Sequence, residues 1–270
     1  MNVLHLFAGA GGGVLADRLL GFRSVGYVEI EPYCQAVLKA RQADGLLDVA
    51  PIFGDVREFI RFGAGECYRG LADLVAGGFP CQPFSVAGKR KGSSDARNLW
   101  PEFAEVVRQV RPRYVFAENV PGLLTWDGGR YFGKIVGDLA ALGFDIRWCV
   151  LGADSCGAPH RRKRLWIIAS RANAACEQVG SAGFTWLDSD AAGCRRNQGN
   201  QDARGCAART AAPEKWAGFA ECGWWKTAPE LPRMAHGVAH WMERTRAIGN
   251  GQVPAVAAAA WHLLNGDGNE

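Results

Sequence analysis

Over the first 170 residues, short apolar runs alternate with helix-length amphipathic stretches, and this alternation constrains the fold more than any other property of the chain. VLHLF (3–7) reads as a buried strand and GAGGG (9–13) as the turn after it. VLADRLLGF (14–22) has helical spacing, with Leu15, Leu19 and Phe22 on one face and Gly21 near the stop. SVGYVEI (24–30) is a second strand, and PYCQAVLKARQ (32–42) a helix opened by Pro32. Ile52 and Phe53 lead into GDV (54–56), the end of a third strand, and ADLVAGGF (72–79) is a fourth running into Pro80. PEFAEVVRQV (101–110) and FGKIVGDLAALGF (132–144) read as helices around the strand RYVFAEN (113–119), followed by strands DIRWCVLGA (145–153) and RLWIIAS (164–170). Strands separated by helices of this length predict βαβ units, hence an α/β fold with a doubly wound, mostly parallel sheet.

Composition bounds what surrounds that sheet. A chain of 270 residues that is 48% hydrophobic buries a sizeable core and is not disordered. Its longest apolar run, AVAAAAW (255–261), is far below the ~20 residues a membrane-spanning helix needs. MNVLHLFAGAGG has neither a basic leader region nor a cleavage site, so no secretory signal is expected. Nine cysteines, an odd number without dense spacing, suit reduced thiols in the cytoplasm better than a disulfide framework. Beyond residue 170 the character changes: 171–223 is rich in Ala, Gly, Arg, Cys and Asn without sustained period, and helical patterning returns at 234–247 and 253–264. The expected organisation is one domain from 1–170 plus 245–270 and a small irregular domain over 171–244.

The chemistry gathers at predicted strand ends. A glycine-rich turn between strand and helix lets backbone approach a ligand and aims helix N–H groups at it. The dinucleotide fingerprint needs glycine at position 14, where Val14 stands, so other nucleoside cofactors fit better than NAD. The second strand ends in Glu29-Ile30-Glu31 and the third in Asp55, acids suited to ribose hydroxyls and an adenine amino group. Cys81, between Pro80 and Gln82-Pro83, is held rigid in a loop, and Lys89, Arg90, Arg162 and Arg164 are the cations available to raise its thiolate content. Glu118 ends the fifth strand and adds a carboxyl, so nucleophile and acid/base stand at neighbouring strand ends. The net charge of +4 conceals two basic clusters, KRKGSSDAR (89–97) and HRRKR (160–164), suited to phosphate contacts.

The set FAGAGG, GGFPCQPFS, FAENVPGL, HRRKRLWIIA and AIGNGQVP, in this order, resembles the C5-cytosine DNA methyltransferases over roughly 1–170 and 233–264. The resemblance implies a Rossmann-like class I fold that binds S-adenosylmethionine, leaves S-adenosylhomocysteine, and carries a small target-recognition domain. It implies that Cys81 attacks C6 of a flipped-out cytosine, that Glu118 contacts N3 and the amino group, and that Arg162 and Arg164 match the family's arginine motif, with His160 in place of its glutamine. Phe7, Gly9, Gly11, Glu29, Ile30, Asp55, Pro80, Leu99 and Asn250 fall at its cofactor-pocket positions. The base must leave the duplex for a cysteine to reach it. Gln82 and Ser85 are placed to support the flipped state, and Lys89, Arg90 and Lys91 lie on a glycine-hinged segment suited to DNA phosphates. The implied partner is double-stranded DNA, met by a monomer in the cytoplasm of a bacterial or phage-infected cell, and the shortness of the chain for this family falls mainly on the specificity region.

In that region Arg195, Arg196, Arg204 and Arg209 suit phosphates or guanine edges. Cys176, Cys194, Cys206 and Cys222 contain no C-x-x-C pair, so no metal is expected. His236 and His240 read as structural, and Trp224-Trp225 as a core anchor of the small domain. A tRNA methyltransferase of the same fold, a DNA-binding homologue without catalysis, and a nicotinamide oxidoreductase are the alternatives. The basic 171–232 insert favours DNA, the intact Cys81 and Glu118 favour catalysis, and Val14 disfavours the nicotinamide reading.

Overall fold

The structure is a computed structural model that describes residues 1–80, 98–171, 243 and 246–266. It contains β1 (Asn2–Leu6), α1 (Val14–Leu20), β2 (Arg23–Val28), α2 (Pro32–Ala43), β3 (Ile52–Phe53), α3 (Val56–Arg61), α4 (Ala64–Cys67) and β4 (Leu74–Gly78). These are followed by α5 (Trp100–Val110), β5 (Tyr114–Asn119), α6 (Arg130–Ala141), β6 (Phe144–Leu151), β7 (Arg164–Arg171) and α7 (Pro254–Asn265). The strands form one seven-stranded sheet in the order β3-β2-β1-β4-β5-β7-β6. Strands β1 to β5 pair in parallel, and β7 is antiparallel to both β5 and β6. The expected α/β sheet, mostly parallel and wound in two directions from β1, is therefore present.

Alternation along the central strands sorts side chains onto two faces. Leu4 and Leu6 of β1, Val75 of β4 and Val115 and Ala117 of β5 pack with Trp100, Phe103 and Val106 of α5 and Ile135 and Leu139 of α6. Their neighbours Val3, Leu74, Ala76 and Phe116 face the other way and pack on Val256 to Trp261 of α7. Ala255 to Trp261 are all buried. The alanines let α7 approach α1, β6 and β7 closely, and Trp261 meets Phe22, Tyr114 and Phe116 edge-on at 5.3, 5.5 and 5.5 Å. No helix of the described residues is long and apolar enough to cross a membrane.

Two features go beyond what the sequence predicts. Helix α1 forms where its spacing predicts and stops at Gly21 in the left-handed region; Leu15 and Leu19 share an exposed face, and Asp17 is buried. The burial is tolerated because Asp17 Oδ2 accepts hydrogen bonds at 2.7 Å from His5 Nε2 and 2.9 Å from Ser24 Oγ. Helices α3 and α4 were not read from the sequence. The Asp55 side chain accepts from the Arg57 N–H at 2.9 Å and so starts α3 as its N-cap, a task separate from any ligand role.

Trp261→Ala removes the aromatic plug between α7 and the sheet and is expected to cost about 3–5 kcal/mol. It should appear as a lower urea midpoint with little change in slope. An unmoved midpoint would contradict the placement of α7 in the core.

Candidate active site

Reversal of strand order between β1 and β4 opens a crevice at the strands' carboxyl ends, where open α/β sheets bind ligands. A cavity of about 480 Å3 occupies it. Phe7, Gly9, Glu29, Ile30, Asp55, Pro80, Leu99 and Asn250 line one part, and Gly78, Glu118, Asn119, Arg164 and Gln252 line another.

The first part is built on Glu29. Its Oε2 accepts from the Gly9 N–H at 2.6 Å and its Oε1 from the Glu31 N–H at 2.8 Å. One carboxylate thus staples the turn after β1 to the end of β2. Phe7, at the head of that turn, sits in the left-handed region at φ 53°, a conformation costly for a non-glycine residue. Ile30 is 60% exposed and presents apolar surface to the cavity. Arg246 pairs with Glu31 at 3.1 Å, tying the helical residues 246–250 to the start of α2.

Glu118 dominates the second part. It is buried at the end of β5, and Arg164 Nε reaches its Oε1 at 2.8 Å. Burial lifts the Glu118 carboxyl above the ordinary glutamate range, opposed by the charges of Arg164 and Arg162 and by hydrogen bonds from Gln252 and Arg164. Arg164 can reach because β7 runs antiparallel to β5, which sets the start of β7 beside the end of β5. Asn119 donates through Nδ2 to the Phe79 carbonyl at 3.1 Å and accepts from the Val120 N–H at 2.8 Å, clamping the exits of β4 and β5 together.

Two predicted site residues stand elsewhere. Gly11 is buried with φ +91°, and a Cβ there would meet Leu38 and Leu47, so it serves the turn and the packing behind it rather than the cavity wall. Arg162 does not line the cavity. Its Nη2 donates to the carbonyls of Gly249 at 2.8 Å and Gly251 at 2.5 Å, which commits its guanidinium to holding the 249–251 loop. His160 is exposed. Cys81, Gln82, Ser85, Lys89, Arg90 and Lys91 lie outside the described residues, as do the arginines, cysteines, histidines and tryptophans singled out between 172 and 242.

Sequence reasoning missed Asn119, Gly78 and Gln252. Each sits inside one of the family-like motifs, within two residues of Glu118, Pro80 or Asn250. Three buried thiols, Cys34, Cys149 and Cys156, are poor nucleophiles. Burial pushes Cys34 up to about 11, with the charges of Glu29 and Glu31 adding to it, Cys149 up to about 12 and Cys156 up to about 11. Among the described residues, no group of three or more His, Cys, Asp and Glu side chains is arranged to hold a metal ion.

The strand order, the antiparallel β7 and the crevice at the carboxyl ends define a class I methyltransferase fold. The chain belongs to the C-5 cytosine-specific DNA methylase family, whose model matches residues 1–194. It is 39% identical over 166 residues to the type II methyltransferase M.NgoMIV of Neisseria gonorrhoeae, covering 62% of this chain and 50% of the relative. It is 39% identical over 173 residues to M.Eco47II of Escherichia coli, covering 63% and 39%. The chain thus spans half or less of the length of these two relatives. A crystal structure described as a DNA modification methyltransferase encoded within an E. coli prophage superposes with a TM-score of 0.50 at 27% identity, covering 63% of this chain and 47% of that one. Membership of this family implies a methyl donor as cosubstrate.

Glu29→Gln would set an amide NH2 against one of the two N–H groups that the carboxylate now accepts. The expected cost is about 1–3 kcal/mol, read as a lower thermal midpoint without any ligand. An unchanged midpoint would contradict the staple.

Proposed function

We propose that this protein transfers a methyl group from S-adenosylmethionine to C5 of a cytosine flipped out of double-stranded DNA, through a bond between Cys81 and C6. The observation that carries this reading is the buried Glu118 carboxyl. It is held by Arg164 in the same cavity as Glu29 and Asp55, and that cavity also includes Pro80, to which Cys81 is bonded.

The cavity suits an adenosyl sulfonium. Its volume falls in the range of cofactor sites. Each Glu29 oxygen spends one acceptor site on backbone, leaving others for ribose hydroxyls. Ile30 offers an apolar face to adenine, Asp55 a further acceptor, and the acids Glu29, Glu31 and Asp55 favour a cationic ligand. Phe7, Gly9, Leu99 and Asn250 complete the wall, and Gly11 supports the turn from behind. Bound there, the sulfonium supplies an electrophilic methyl group.

The residues of the chain do the rest. Attack by the Cys81 thiolate forms the S–C6 bond and moves electron density onto N3 and C5. Protonated Glu118 meets that density at N3, and C5 becomes the nucleophile. Once C5 carries the methyl group, loss of the C5 proton and departure of the thiolate restore the ring and free the cysteine. Arg164 orients Glu118, and Arg162 holds the loop that carries Asn250. Gln82 and Ser85 support the flipped base. Lys89, Arg90 and Lys91 contact phosphates, and residues 171–244 form a separate target-recognition domain. The similarity to type II methyltransferases supports DNA modification in a bacterial or phage-infected cell, and we read the protein as a cytoplasmic monomer.

Expressed in a host lacking cytosine methylation, the wild-type protein is expected to leave bisulfite-resistant cytosines at one sequence, and Cys81→Ser none. Unmodified DNA from folded wild-type protein that binds S-adenosylmethionine would overturn the reading, and modified tRNA alone would redirect it to RNA.

A pH profile tests Glu118 separately. Its donating form is fully present below its pKa and lost as pH rises through it, and burial raises that pKa. The alkaline fall of the rate should therefore begin above the ordinary glutamate range. Glu118→Gln should remove that inflection and slow turnover by about 10²–10⁴-fold. A profile unchanged by the substitution would contradict the role.

A further inference from the structure

Gln252 follows Asn250 in the loop before α7, in the middle of AIGNGQVP, and it fills a space that two glycines of the turn after β1 and one at the end of β4 leave open. A Cβ on Gly12 would lie 2.3 Å from the Gln252 carbonyl oxygen, and one on Gly13 would lie 2.2 Å from Gln252 Oε1. A Cβ on Gly78, at the end of β4, would lie 2.6 Å from Glu118 Oε2 and 3.2 Å from Gln252 Nε2. The amide therefore spans from the turn after β1 to the Glu118 carboxyl. Its oxygen end lies against Gly13 and its nitrogen end lies over Gly78, beside Oε2. The Gln252 amide hydrogen-bonds the Glu118 carboxyl. Gly13 itself has φ −69° and ψ −33°, which any residue adopts, so its lack of a side chain is explained by the space and not by the backbone.

Resting on the function proposed above, we propose that Gln252 is a positioning residue for Glu118, and that Gly12, Gly13 and Gly78 lack side chains to admit it. Arg164 holds Oε1 from one side, and Gln252 closes on the carboxyl from the other. Two donors from different elements fix the plane of a carboxyl that one donor would leave free to swing about its bond to Arg164. Arg162 supports the arrangement at one remove by gripping the carbonyls on either side of Asn250, immediately before Gln252. The glycines of the FAGAGG turn thus serve two ends. Gly9 gives its N–H to Glu29 in the cofactor part of the cavity, and Gly12 and Gly13 make room for the residue that sets the carboxyl in the base part.

The test begins with wild-type turnover, because its absence defeats the proposed function and not this inference. Gln252→Leu keeps the width of the side chain and removes the donor, and Gln252→Glu sets a second carboxyl against the first. The carboxyl carbon of Glu118 is then titrated by NMR in 13C-glutamate-labelled protein without cofactor or DNA, assigned by its loss in Glu118→Gln. Its pKa is expected to rise in Gln252→Leu and further in Gln252→Glu. In turnover assays kcat should fall by about 10²-fold, with KM for DNA and cofactor moving far less. Gly13→Ala should reproduce the fall in kcat by pushing Oε1 aside, and its effect should largely vanish in a Gln252→Ser background. An unmoved Glu118 titration in folded Gln252→Leu would overturn the assignment. Additive effects of Gly13→Ala and Gln252→Ser would overturn it too, and that pair decides the matter by itself should Gln252→Leu not fold.

Discussion

A carboxyl buried at the end of a strand must be compensated, and the way Glu118 is compensated organises much of this molecule. Leaving it without partners would cost several kcal/mol or force it to stay neutral. Arg164 supplies a cation only because β7 inserts antiparallel beside β5, pairing Glu118 with Trp166 and setting the first residue of β7 next to the carboxyl. Gln252 supplies a neutral donor only because the chain returns to the sheet in α7, whose alanine face settles against α1 and the sheet core. The diglycine at the end of β4 is tied to the same requirement. A Cβ on Gly77 would lie 2.2 Å from the Leu6 carbonyl oxygen and one on Gly78 would meet Glu118 itself, so β1, β4 and β5 converge only because neither position carries a side chain.

The cavity divides its electrostatics along the same line. On the β2–β3 side, carboxylates stay near backbone donors and leave acceptor sites facing inward, a surface suited to hydroxyls and positive charge. On the β5 side, a carboxyl lifted by burial is balanced against two arginines and an amide. The thiols of Cys34, Cys149 and Cys156 are held protonated by burial, so they offer little competition to the nucleophile proposed at Cys81.

Most of the fold was legible because its signals are local. Strand and helix periods, Pro32 opening α2 and Gly21 stopping α1 all act within a few residues. The strand-end acids were legible for the same reason: a carboxyl after an apolar run is conspicuous. What stayed hidden depends on pairs far apart in sequence. Spacing put Leu15 and Leu19 on one face of α1 but could not say which face turns inward, because that is set by His5 and Ser24, which hold Asp17 inside. Arg162 has the motif spacing of a reacting group, yet carbonyls almost ninety residues later claim its guanidinium. Gly12 and Gly13 belong to a turn whose glycines suit a ligand, and Gly13 does line the cavity. Both also abut Gln252, which nothing within that turn announces.

The central claim is a covalent bond between Cys81 and C6 that breaks only when C5 loses its proton. A DNA duplex with 5-fluorocytosine at the target position removes that exit, because fluorine cannot leave as a proton does. Intact-mass and peptide mass spectrometry of the protein incubated with this duplex and S-adenosylmethionine measures the claim directly. The expected result is a stable protein–DNA adduct that maps to the peptide containing Cys81 and is absent from Cys81→Ser. Folded protein that binds both ligands and forms no adduct, or an adduct on any other residue, would contradict the account.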